Sequence, residues 1–85
     1  MNSEPIETLR NLGPKSGRWL RAIGIHTIAD LERTGSVVAY RLVKQRNGRS
    51  SLNLLWALEA GLADKDWRKL TETTKKRLRE EAEEE

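Results

Sequence analysis

A chain of 85 residues, 36% apolar and 34% charged, suffices for one modest core but not for a second domain or a deep substrate cavity. It has no cysteine, which removes disulfides, thiolate nucleophiles and cysteine-held zinc, and no window approaches the roughly 18 uninterrupted apolar residues of a membrane span. The formal charge of +3 is spread unevenly: residues 1–50 carry nine Lys/Arg against four Asp/Glu and residues 51–85 seven against nine, so any basic face belongs to the first part. The opening residues, Met1 to Pro5, lack the basic and apolar regions of a signal peptide, and a cytoplasmic protein is expected.

Apolar residues recur at spacings of three and four, which predicts helices almost throughout and no strand. Ser3 as N-cap and Pro5 in the first turn predict a short first helix with Ile6, Leu9 and Leu12 on one stripe, ended by Gly13-Pro14. Ser16 is placed to cap a second helix carrying Trp19, Leu20 and Ile23, and Gly24 to end it in a left-handed turn that folds Ile25 back. Thr27 predicts the cap of a third helix with Ile28 and Leu31 inward, stopped by Gly35, after which Ser36 opens a fourth containing Val38, Tyr40, Leu42 and Val43. Asn47-Gly48 is the strongest turn signal. It is also the mark of a strand hairpin, but its flanks lack two-residue alternation.

Ser50 or Ser51 then starts the most apolar helix, Leu52 to Leu62, which belongs in the middle of the fold because its hydrophobicity runs nearly all the way round. Asp64 is expected to cap a short turn that sets Trp67 and Leu70 against the core. Thr71 should begin a loosely held last helix with Leu78 as its main apolar residue and i,i+4 pairs such as Lys76 with Glu80. The expected fold is all-α: a single compact domain over residues 1–85, of five to seven short helices, with an acidic tail that frays near residues 80–85 because glutamates crowd the negative end of the helix dipole.

One constellation points to a partner. Leu9-Arg10-Asn11-Leu12-Gly13-Pro14-Lys15-Ser16, followed by Gly17-Arg18-Trp19-Leu20, resembles the hairpin of helix-hairpin-helix proteins, with Asn11 at the first glycine position because asparagine tolerates the left-handed region. Ala22 to Leu31 resembles the segment that follows such hairpins. A tight turn feeding a helix start offers outward N–H groups and the positive end of the dipole to one DNA phosphate, with no base read. The candidate nucleic-acid-binding residues are therefore Arg10, Asn11, Gly13, Pro14, Lys15, Ser16, Arg18 and Arg21. A faint echo of this stretch at Gly48-Arg49-Ser50-Ser51, with Leu54, Leu55 and Leu58, adds Arg49 as a second contact if two hairpins are related by a pseudo-twofold. The plainer alternative is that these cations form the solvated side of an ordinary helical domain, and that Asn47-Gly48 is only a turn.

Over about Ile6 to Leu78 the chain resembles the C-terminal domain of the TfoX/Sxy-type regulators of natural competence. The resemblance rests on Leu9 to Ser16, Trp19-Leu20 with Gly24-Ile25-His26-Thr27, Ala39-Tyr40, and above all Ser51-Leu52-Asn53-Leu54-Leu55-Trp56-Ala57-Leu58-Glu59. It implies a helical, hairpin-containing fold and a link to transcription or DNA uptake, here as a free-standing small protein without the family's N-terminal domain, and it brings no catalytic residue.

Enzymatic function is not expected. His26, the lone histidine, has no cysteine or carboxylate at ligand spacing and suits a loop beside the Thr27 cap; no metal site, cofactor or catalytic group is expected. Trp19, Trp56 and Trp67 suit core packing better than base stacking, and Asp64, Asp66 and the glutamate tail suit caps and solvated charge. Two partners remain: DNA, bound non-specifically through its phosphates, or a protein of the transcription or competence machinery, docked on an apolar groove or dimer face near Trp56.

Overall fold

Glu4 to Ile6 pairs with the loop at residues 26–28 instead of starting a helix. In the computed structural model, which describes residues 3–48 and 50–83, the Ile6 amide donates to the His26 carbonyl (3.0 Å), and the Ile28 amide to the Glu4 carbonyl (3.0 Å), around an isolated antiparallel bridge between Pro5 and Thr27. The expected first helix is accordingly a single 3-10 turn, Ile6–Thr8, with Leu9 already extended. Thr8 reinforces the turn by donating its hydroxyl to the Pro5 carbonyl at 2.7 Å, the local bonding by which threonine competes with helix propagation. Ser3 caps no helix because long-range pairing takes the backbone first.

Helix α1 is Pro14–Ala22, with Gly13 as N-cap and Pro14 at the first helical position. Ser16 thus lies inside the helix rather than capping it, since proline's fixed φ and missing N–H suit it to open the helix itself. The far end follows expectation. Gly24 has φ +91°, its amide donates to the Arg21 carbonyl (3.1 Å), and the Ile25 amide to that of Leu20 (3.0 Å), which turns the buried Ile25 back onto the helix.

Helix α2, Ile28–Thr34, opens on a reciprocal cap: the Thr27 hydroxyl accepts the Asp30 amide (3.1 Å) while the Asp30 carboxylate accepts the Thr27 amide (3.1 Å). Helix α3, Ser36–Arg46, buries Ala39, Tyr40 and Val43 and leaves Val38 and Leu42 exposed at 49% and 37%. Ser36, itself buried, donates its hydroxyl to Glu59 at 2.6 Å, tying α3 to the next helix.

Helix α4, Leu52–Leu62, has Ser51 as N-cap and is the centre of the molecule: Leu54 to Leu58 are all buried, as are Ala60 and Gly61. Gly61 is required by close approach, for a Cβ there would lie 2.7 Å from the Arg10 carbonyl oxygen and 2.9 Å from Leu9 side-chain atoms. Gly61→Ala is therefore expected to lower the urea midpoint. Overpacking against backbone costs about 1 to 3 kcal/mol, which exceeds the gain in helix propensity of roughly 0.8 to 1.0 kcal/mol.

The turn after α4 is capped by Asp66, whose carboxylate accepts the Arg68 amide at 2.9 Å ahead of a second 3-10 turn, Trp67–Lys69. Asp64, expected in that role, instead takes a left-handed conformation (φ +55°) two positions beyond the helix end. Thr71 does cap helix α5, Glu72–Glu83, through its hydroxyl and the Thr74 amide (3.1 Å). That helix is anchored more firmly than its polar sequence suggests: Leu78 is 1% exposed, Ala82 packs on the core, and Arg77 sits between Glu59 (3.9 Å) and Glu81 (3.5 Å).

Candidate nucleic-acid interface

The turn before α1 is shaped by Asn11. Its φ of +78° is the left-handed conformation expected there. Its side chain is occupied inward, donating through Nδ2 to the Lys65 carbonyl (2.8 Å) and accepting the Trp67 amide on Oδ1 (3.4 Å). Arg10 follows it across, with Nη1 on the Asp64 carbonyl at 3.2 Å. Both residues thus fasten the turn to the segment after α4, and the outward surface falls to the residues that follow.

Gly13, Pro14 and Lys15 are exposed and extend directly into α1. Gly13 has no side chain to offer, so the helix start has no side-chain cap; the first amide it closes is that of Gly17, on the Gly13 carbonyl at 3.0 Å. The amides of Lys15 and Ser16, at the second and third helical positions, belong to the open end of the helix. Lys15 Nζ lies 5.1 Å from the Trp19 ring centroid. Neither Lys15 nor the exposed Arg18 is paired with an acid among the described residues.

Arg21 is different. Its guanidinium holds Glu7 by two hydrogen bonds of 2.6 and 2.8 Å, and Nη1 lies 3.4 Å from His26 Nδ1. The hydrogen bond from Arg21 is the main reason the Glu7 carboxyl is held down to about 2. A carboxyl whose folded pKa is depressed stabilises the fold above its ordinary value of 4.5, and that contribution disappears as pH falls toward 2. Asp66, lowered by Arg68, and Asp30, lowered chiefly by the His26 amide, act in the same sense. Urea midpoints are accordingly expected to fall between pH 4.5 and 2, and Glu7→Gln should flatten part of that slope, leaving the aspartate share.

Residues from the starts of α1 and α4 line one shared groove. That groove, open and about 400 Å³ in volume, is lined by Lys15, Ser16 and Trp19 of α1, by Ser51 and Asn53 at the start of α4, and by Trp67 of the second 3-10 turn. Ser51 makes no side-chain cap either. Of the second proposed contact, Arg49 lies outside the described residues. Its neighbour Ser50 is buried and donates its hydroxyl to Asn47 O (3.0 Å), while Lys44 Nζ holds the carbonyls of Ser50 (2.9 Å) and Gly48 (3.3 Å). Ser51 and Asn53 carry no sequence signal for this groove, since only the fold brings them to α1, whereas Trp67 is one of the tryptophans weighed for base stacking and set aside in favour of core packing. Lys44 did carry a signal, a cation in the last turn of a helix. Trp56 is buried, and Trp19 and Trp67 are half-buried at the edge of the core.

Among the described residues no group of three His, Cys, Asp or Glu is placed to hold a metal ion, and no helix is long and apolar enough to cross a membrane. Compared with known proteins, residues 2–82 match the family described as the TfoX C-terminal domain. No curated protein and no solved structure matches the chain.

Proposed function

Because this chain belongs to the TfoX C-terminal domain family, we propose that it is a non-enzymatic regulatory module that contacts the DNA backbone without reading sequence. It would serve transcription or competence control in the cytoplasm. The observation that carries this reading is the start of α1, where the helix end has no side-chain cap and the exposed Lys15 and Arg18 have no acidic partner among the described residues. Amides at a helix start and two cations beside them are a phosphate-binding set. Arg10, Asn11 and Gly13 shape the turn, and Pro14 and Ser16 frame the helix start. Arg21 contributes less, being held by Glu7.

Titration of two labelled duplexes of unrelated sequence, at two salt concentrations, tests the reading. Equal affinities are expected, in the non-specific range of ~10⁻⁴ to 10⁻⁶ M near physiological salt, with log K falling linearly in log salt. Binding absent at low salt, or indifferent to salt, would overturn it. A second reading, an adaptor that docks a protein of the transcription or competence machinery, is favoured by Val38 and Leu42, one helical turn apart and exposed on α3. The burial of Trp56 removes that residue as the docking point.

A further inference from the structure

We infer that the groove between the starts of α1 and α4 takes one unstacked nucleotide of single-stranded DNA, its phosphate at Lys15 and Ser16 and its base against Trp19 and Trp67. The inference rests on the DNA-backbone reading and extends it from phosphate to base. It starts from the lining of the groove. Its two aromatic residues, Trp19 and Trp67, come from α1 and from the second 3-10 turn, its polar residues are Asn11, Lys15, Ser16, Ser51 and Asn53, and Leu54 and Ala57 complete the lining. No acid is among them. The volume of about 400 Å³ lies at the lower end of the range of small-ligand sites, roughly 300 to 1,000 Å³.

This combination suits a nucleotide better than an apolar peptide. An aliphatic side chain would leave Lys15 and Asn53 without partners, whereas a base offers a π-face to indole and an edge of mixed donors and acceptors to the Asn53 amide and the Ser51 hydroxyl. Lys15 now rests its ammonium over the Trp19 ring. A phosphate at the start of α1 draws that ammonium away and leaves the indole face to the base, so the same lysine guards the stacking surface when empty and binds the backbone when filled. Duplex DNA keeps its base faces covered by their neighbours, so only a single strand, an end or an extruded nucleotide can supply the occupant.

The test compares, at low salt, a thymidine single strand, an abasic strand of equal length and a duplex, each competing against the labelled duplex, with tryptophan fluorescence recorded alongside. The thymidine strand is expected to compete about 5- to 100-fold better than the abasic one and to quench fluorescence. Trp19→Ala with Trp67→Ala should erase the difference between the two strands. Asn53→Ala, at an exposed position on α4, should narrow it. Thymidine and abasic strands binding alike, or an undiminished difference in both variants, would overturn the base site. If the abasic strand and the duplex bind while bases add nothing, only this inference fails; if none of the three binds, the DNA-backbone reading fails with it.

Discussion

Lys15→Glu combined with Arg18→Glu is expected to weaken duplex binding by roughly 100-fold at 50 mM salt and to flatten the slope of log K against log salt by about two, one for each phosphate contact removed. These are the two cations of the α1 edge that have no acidic partner among the described residues, Lys15 having only the face of the Trp19 ring beside it. Reversing Lys76 and Arg79 on α5 changes the net charge by the same amount and should leave the affinity within a few-fold. Arg21→Gln provides the opposite contrast. It breaks the pair with Glu7, and so should move the acid limb of stability more than it moves DNA affinity. Equal losses in all three variants would mean that the attraction is diffuse and that the α1 edge has no special part in it.

Leu58→Ala should produce the largest loss of stability. Leu58 is 0% exposed in the middle of α4, within the cluster that also holds Leu20, Leu31, Leu55, Val43 and Leu78. Truncation removes the transfer free energy of the missing carbons and leaves a cavity, together worth about 2 to 5 kcal/mol. At 0.05 to 0.15 kcal/mol per residue, a domain of this length has only about 4 to 13 kcal/mol in all. The melting temperature should therefore drop by at least about 8 °C, whereas Leu42→Ala on the exposed side of α3 should change stability by no more than about 0.5 kcal/mol. Similar losses from both would contradict the placement of α4 at the centre.

How legible each element was depended on how local its cause is. The Gly24 turn, the Thr27–Asp30 cap and the Thr71 cap each depend on groups within a few residues of one another, and each stands where the sequence places it. The burial of α4 was equally plain, because a run such as Leu54-Leu55-Trp56-Ala57-Leu58 has no polar face to present to water. Expectations failed where distant groups compete. The helix expected from Ser3 gave way to pairing with residues 26–28, and Ser16 and Asp64 lost their capping roles to Gly13-Pro14 and Asp66. The same division holds around the start of α1. Asn11's left-handed backbone followed from its residue type, but the capture of Arg21 by Glu7, 14 positions away, and the approach of Ser51, Asn53 and Trp67 to α1 are products of the tertiary fold.

The anchoring of Asn11 has a consequence during synthesis. Its amide group finds both acceptor and donor only in Lys65 and Trp67, more than 50 positions downstream. On a ribosome the bend therefore gains these two bonds only after that segment has emerged, so a nascent chain halted before residue 65 lacks the ties that fasten the turn before α1. The turn ahead of α1 is thus completed by residues from beyond the other end of α4.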